Sequence, residues 1–345
     1  MYKIVSESDV LNVKFRHFSI IRNILRSCGF FIILCVFAKF VVFTSLASAS
    51  QSISDQYPQS LLYSKPVEVI PHVWSAIGAT APPGYDNSGH NNNLSFIVTG
   101  QGVVVINAGA SYLVAKALHN EIKAISDEPV VLIINENAQG HAMLGNAYWH
   151  EQKVPILAHK SAAKEWQKHG YDILKGMQSY NLEKADKTVV QGPTEVFDEK
   201  REINLGRFEI NVLWLGLAHS PGDVVVHLPA EHLVISGDMA FHERLLPIMS
   251  DTRTKEWLDS WERFEALNAQ YVIPGHGHPT NMAQVRRYTK DYLVFLRGAV
   301  ADVLDNGGDL QDSYKIDQSA YSHLDTYSEL AAKNAGRVFA QMEFE

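Results

Sequence analysis

The chain has 345 residues, 46% of them hydrophobic, with 30 Lys and Arg against 38 Asp and Glu for a formal net charge of −8. An acidic balance of this size argues against nucleic acid as a partner. Both cysteines, Cys28 and Cys35, precede residue 50, so neither a disulfide nor a thiolate ligand is expected in the rest of the chain.

Residues 1–49 read as a leader. Lys14, Arg16, Arg22 and Arg26 form a basic flank, and Gly29 to Phe43 is apolar apart from Lys39. Ala47-Ser48-Ala49 is a small-x-small cleavage signal, predicting a mature start at Ser50 and a periplasmic or secreted protein. The apolar core is short of the ~20 residues a spanning helix needs. An uncleaved anchor is the alternative; after cleavage no stable membrane anchor is expected. The leader holds six Lys and Arg and two Asp and Glu, so its removal leaves 24 against 36 and a net charge of −12.

Residues 50–65 are polar and read as a loose segment. Val67, Val69, Ile70, Val73 and Trp74 alternate enough for a first strand over 66–77. The stretch 84–93, GYDNSGHNNN, is dense in turn formers. Leu94 to Thr99 and Val103 to Ile106 are β-rich runs split by Gly100-Gln101-Gly102, the pattern of a hairpin. A helix follows over 111–125, with Leu113, Ala117, Leu118, Ile122 and Ile125 on one face. Val130 to Ile134 is an apolar run that reads as a buried strand opening into a polar loop, 136–141. A strand over 155–159 and helices over 161–169 and 171–183 come next, the second placed to cover a site mouth. Strands resume near 195, 203, 208–215, 223–228 and 232–235. Helices are expected over 254–267, 281–304 and 321–342. Trp257, Trp261, Phe264 and Leu267 stand at helical spacing and read as core.

Four strands share one design: each ends and hands a metal-capable side chain to a loop, where sites on layered α/β folds sit. The first is VVLIINENAQGHAMLGNAY, with His141. LWLGLAHSPGD places His219, LVISGDMAF places Asp238, and YVIPGHGHP places His276 and His278. Taken together these motifs resemble the metallo-β-lactamase superfamily, whose first strand and loop read I-N-T-H-x-H-x-D-H-x-x-G-N-A. The frame from Ile134 to Ala147 matches while the chemistry is replaced. Asn137 and Gln139 stand at the first two family histidines, His141 at the aspartate and Ala142 at the last histidine. His219 in AHSPGD, Asp238 in SGD and His276 in PGHG fit the downstream ligand positions. Asn107 stands where the family carries an aspartate that supports the metal loop.

The resemblance covers about residue 67 to the C-terminus. It implies an α/β fold of αββα type: two mixed sheets face to face, helices outside, over residues 66–280. A helical extension over 281–345 packs on the same domain. It also implies metal ligands at His141, His219, Asp238 and His276, with Asn137, Gln139 and Ala142 as degenerate positions lining the cleft. Asn107 would support that loop from behind. Neutral amides bind zinc poorly, so at most one ion per chain is expected: zinc, with iron or manganese as the other candidates. A His2Asp set of His141, Asp238 and His276 is chemically reasonable. No catalytic base is identified.

A lone histidine in a polar loop is more often solvated or hydrogen-bonded than a ligand. His90, His150, His159, His169, His242 and His278 are read that way. Two functions survive. One is an exported single-metal hydrolase of ester, thioester or lactam-type bonds acting on a small molecule. The other is a metal-poor pseudoenzyme that uses the old cleft for binding. The orientation of His141 decides between them.

Overall fold

The structure, a computed structural model, describes residues 60–345. The leader and the loose segment up to residue 59 lie outside the described residues. Among those described, no helix is long and apolar enough to cross a membrane.

Seven strands form the first sheet in chain order: β1 (Val67–Ile70), β2 (Val73–Ala76), β3 (Leu94–Val98), β4 (Val103–Ile106), β5 (Val130–Asn135), β6 (Ile156–His159) and β7 (Glu195–Phe197). Pairing is antiparallel from β1 to β4 and parallel from β4 to β7. The second sheet has five strands: β8 (Lys200–Leu205), β9 (Phe208–Leu213), β10 (Val225–Leu228), β11 (Leu233–Phe241) and β12 (Tyr271–His276). It is antiparallel except for the parallel pair of β11 and β12.

Period-two patterning builds the layers. On β4, Val104 and Ile106 turn into the core between the sheets, beside Ile210, Val212 and Val226 of the opposite sheet. Val103 and Val105 turn the other way, into a second core with α1 (Tyr112–Ile125) and α3 (Asn146–Glu151). The outer face of the second sheet packs on α5 (Thr254–Glu265), α6 (Met282–Tyr288), α7 (Lys290–Asp305) and α9 (Tyr327–Met342). Trp257, Trp261 and Phe264 are buried there, as core. The result is the αββα sandwich with a helical C-terminal region.

Several elements differ from expectation for local reasons. The first strand is two, β1 and β2, because Pro71-His72 makes a turn with His72 at φ 71°. The helices expected over 161–169 and 171–183 are one, α4 (Lys160–Asn181). Gly170 does not break it. A Cβ there would meet Val190 Cγ1 at 3.0 Å and the Trp166 ring at 3.2 Å, so glycine serves close packing. The helix expected over 281–304 is divided at Thr289, whose hydroxyl accepts from the Phe241 amide at 2.9 Å. The last helix begins at Tyr327, after a short 3-10 turn over Ser319–Tyr321.

The loop 242–253 has no helix or strand of its own, yet it is braced from the C-terminal side. Asn334 on α9 accepts from the Ile248 amide at 2.9 Å and donates to the Leu246 carbonyl at 2.8 Å. Arg337 donates to the Ile248 carbonyl and Gln341 to that of Thr252. The Thr252 hydroxyl in turn donates to the His219 carbonyl at 2.7 Å.

Candidate metal centre

The site lies where β5, β11 and β12 end. β5 delivers Glu136, Asn137 and Gln139, and the short turn of helix α2 (Gly140–Met143) delivers His141. Asp238 stands on β11, all of whose residues are buried, and His276 ends β12. The loop after β9 carries His219. Paired amides lock the first loop: Asn135 and Asn146 exchange side-chain hydrogen bonds at 3.0 Å, and Asn135 also donates to the Ala142 carbonyl at 2.7 Å. Gly145 sits tight against this framework, since a Cβ there would lie 2.2 Å from the Ala108 carbonyl oxygen.

Asp238 is the centre of the arrangement. Its Oδ2 accepts from Asn137 Nδ2 and Gln139 Nε2, each at 3.2 Å. His141 Nε2 and His219 Nδ1 both lie 3.6 Å from the same oxygen. Its other oxygen, Oδ1, faces His276 Nε2 at 3.3 Å and has no hydrogen-bond partner among the described residues. All four side chains are at least nine-tenths buried.

Among the described residues His141, Asp238 and His276 form one group whose ligand atoms lie within 4.8 Å of one another. His219 touches Asp238 but falls outside that group. Gln139 Nε2 donates to His219 Nδ1 at 2.8 Å and so occupies the lone pair that would face a cation.

The protonation pattern follows from these contacts. His276 Nδ1 lies against both the Asn91 carbonyl, which can only accept, and Arg244 Nη1, which can only donate. With the ring proton on Nδ1, toward the carbonyl, the Nε2 lone pair points at Asp238 Oδ1 and two acceptors face each other; with the proton on Nε2, the ring donates to Oδ1 at 3.3 Å. Burial, followed by the charge of Arg244, whose Nη1 is 3.2 Å from Nδ1, pushes the His276 pKa down to about 4, so the ring stays neutral. Facing acceptors repel unless a cation lies against both. This donor set fits a divalent metal of zinc type. Burial also works against a charge on His141, but Asp238 and then Glu136 outweigh it and raise the His141 pKa. Asp238 is held as a carboxylate: burial opposes this, and the histidines, His141 foremost, overcome it. Burial, then the charge of Asp238, raise Glu136.

Glu136 was visible in the sequence only as a spare carboxylate. It is buried, and its Oε1 lies 3.1 Å from His141 Nε2. Asn107, in the left-handed region at φ 69°, donates to that oxygen at 2.7 Å and accepts from the Glu136 amide at 3.1 Å. Asn107 thus holds Glu136, not a ligand directly. His141 turns inward. Asn137 and Gln139 reach Asp238, on the His219 side. Ala142 departs from expectation: it does not line the cleft but packs with Met143, Leu144 and Trp166 in an apolar cluster, since a methyl group gains nothing from a polar wall. Asn91 was missed, and the sequence places Arg244 only in the segment 241–244 that begins a loop bordering the pocket. Asn91 sits in a loop that reads only as turn formers, and it acts through its backbone carbonyl, which a sequence does not mark. Of the histidines read as bystanders, His90 is buried and accepts from the Tyr63 amide at 2.9 Å. His278 is exposed and pairs with Glu243 at 2.7 Å.

A cavity of about 310 Å³ opens over His141, Asp238 and His276, walled by Arg244, Met177 and Tyr180. A buried histidine–aspartate group thus stands at the strand ends of an αββα sandwich, under a cavity of ligand size. The family model of the metallo-beta-lactamase superfamily matches residues 140–276, the stretch that holds His141, His219, Asp238 and His276. The chain is 28% identical over 116 residues to metallo-beta-lactamase type 2 of Bacteroides fragilis, covering 31% of this chain and 47% of that one. It is 19% identical over 246 residues to the linear primary-alkylsulfatase of a Pseudomonas species, covering 60% and 46%. The matches therefore span about half the length of these curated relatives. Among solved structures, a metallo-beta-lactamase from Pontibacter korlensis superposes with a TM-score of 0.53 at 17% identity, covering 66% of this chain and 97% of that one. TMB-1 superposes at 0.52 with 14% identity, covering 65% and 94%. These two share the fold.

Proposed function

We propose that the protein is a hydrolase that holds one metal ion, zinc by the chemistry of the donors, between His141, Asp238 and His276. Iron and manganese remain candidates for the same three atoms. The observation that carries this reading is the buried cluster of His141, Asp238 and His276, whose ligand atoms lie within 4.8 Å of one another, with His276 Nε2 3.3 Å from Asp238 Oδ1. When bound, such an ion lowers the pKa of a water and polarises the bond to be cleaved.

The chain's own residues supply the rest. The Asn91 carbonyl lies against His276 Nδ1 and so holds the ring with Nε2 toward Asp238, the support that metal-ligating histidines usually have. Asn137 and Gln139 spend their amides on Asp238 Oδ2 and leave Oδ1 free. Gln139 also caps His219, so a second ion has no ligand set on that side. Glu136 holds His141 Nε2 at 3.1 Å and must release it for the nitrogen to ligate. Glu136 is then the buried carboxylate nearest the site with a free oxygen to take a proton.

The substrate is a small molecule with an ester, thioester or lactam-type bond. The two curated relatives are named as a beta-lactamase and an alkylsulfatase. We also propose export, from the basic, apolar and small-x-small pattern of residues 1–49.

One observation favours the second reading, a metal-poor binding protein. His141 Nε2 lies 3.1 Å from Glu136 and 3.6 Å from Asp238, so these two carboxylates can satisfy the nitrogen that would ligate. Metal analysis of protein purified without chelator separates the two, followed by ester and cephalosporin turnover with added zinc, manganese or iron. One tight equivalent, lost in Asp238→Ala, supports the hydrolase. Less than a tenth of an equivalent, with no turnover under any metal, rejects it.

A further inference from the structure

A second cavity, of about 320 Å³, lies beside the first. The two share Gln139, Gly140 and Ile173 as lining residues, so they meet. One face of α4 walls both. Ala162, Glu165, His169 and Ile173 recur at three- and four-residue spacing and line the side cavity. Ile173, Gly176, Met177 and Tyr180 continue the same stripe over the metal group. Ile173 therefore stands at the junction. Gly140 stands opposite it: a Cβ there would lie 3.1 Å from Ile173 Cγ2 and 3.0 Å from Leu144 Cδ1. Gly140 has no positive φ to require glycine. What its missing side chain does is keep the passage between the cavities open.

The two halves differ in chemistry. Around His141, Asp238, His276 and Arg244 the lining is charged. The side cavity is walled by Ala138, Ala162, Ile173, Pro221, Gly222 and Met249, with Glu165 and Asp251 as its acids. Such a chamber takes an uncharged apolar group, and its acids repel an anionic one.

We propose that the substrate is amphiphilic: its cleavable polar head lies over His141, Asp238 and His276, and an uncharged aliphatic or aryl arm passes Ile173 into the side cavity. This rests on the hydrolase reading for the head and on the side cavity alone for the arm. A chamber of this volume, continuous with the site and apolar, sets specificity by arm length. Each methylene that enters should raise affinity about fourfold.

The test uses the whole protein as purified and an uncharged fluorescent probe, N-phenyl-1-naphthylamine. The probe should bind wild-type protein saturably, with and without chelator. Ile173→Trp at the junction and His169→Trp at the mouth should each weaken it tenfold or more. His169 is half exposed (46% for its side chain), so that variant should fold even where the first does not. With zinc present, octanohydroxamate should displace the probe and acetohydroxamate, the same head without an arm, should not. Absence of saturable binding, binding unchanged by both tryptophans, or equal displacement by the two hydroxamates would each overturn the proposal. The outcome for the hydrolase reading is read separately, from bound zinc. A protein without zinc that still binds the probe and responds to the tryptophans loses the head assignment and keeps the arm.

Discussion

Gly237→Ala tests how tightly the site is built into the sheet. Gly237 precedes Asp238 on β11 and adopts φ +51°. An alanine Cβ there would fall 1.3 Å from Glu136 Oε2 and 2.5 Å from Glu136 Cδ, inside any permitted contact. Two costs follow. Alanine in the left-handed region costs ~1 kcal/mol relative to glycine. The Glu136 carboxylate must also leave its place, breaking the 2.7 Å bond from Asn107 and the 3.1 Å contact with His141. A buried bond to a charged group is worth about 1.5–3 kcal/mol, and there is no empty space at Gly237 to absorb the shift. The single substitution should therefore destabilise by about 3–5 kcal/mol, read from urea unfolding. The cycle with Glu136→Ala isolates the cause. Removing the carboxylate first should leave Gly237→Ala with mainly the ~1 kcal/mol backbone cost, so the two changes couple by about 2 kcal/mol or more. Additive losses, or a Gly237→Ala cost below 1 kcal/mol, would refute the placement of Glu136 against this glycine.

Four further outcomes are expected. Metal bound to protein purified without chelator should reach at most one tight equivalent, fall away in Asp238→Ala and His276→Ala, and change little in Asn137→Ala, measured by elemental analysis. His90 is fully buried and its pKa is pushed by burial down to about 4. A neutral buried histidine stabilises above the unfolded-state pKa near 6.5 and loses that contribution as pH falls toward 4, about 3 kcal/mol in all; the stability difference between pH 7 and pH 4.5 should shrink by most of that in His90→Asn. Gly298→Ala in α7, where a Cβ meets open space, should stabilise by up to ~1 kcal/mol, whereas Gly170→Ala, crowded by Val190 and Trp166, should not, by thermal melting of both. Exported protein should begin Ser50-Gln51 by N-terminal sequencing, and an intact hydrophobic segment in the product would remove the export reading.

Much of the fold was legible because its signals are local. Val103 to Ile106 and Val130 to Ile134 read as strands from apolar runs alone, and Ser111 was in place to cap α1, accepting from the Val114 amide at 3.1 Å. The divisions were not legible. Thr289 ends α6 through a bond to Phe241, 48 residues away, and Gly170 stays helical because of what packs on it. The site divides the same way. His219, Asp238 and His276 were marked by the residues flanking them in the chain. Which of them group closely enough to hold a cation was not, because it depends on Gln139 reaching His219 across 80 residues and on a carbonyl of Asn91. Glu136 is the clearest case. Nothing around it in sequence says that it lies under Gly237.

The brace from α9 onto the loop 242–253 bears on how binding is paid for. Met249 and Asp251 of that loop line the side cavity. A free loop of twelve residues would have to be ordered as a ligand arrives, at roughly 1–2 kcal/mol per residue fixed. Here Asn334, Arg337 and Gln341 hold it at Leu246, Ile248 and Thr252 beforehand. The entropy is surrendered once, when the C-terminal helix docks, and a weak apolar contact in the chamber can then register almost in full as affinity. Loosening that helix should slacken recognition at the wall that Met249 and Asp251 form.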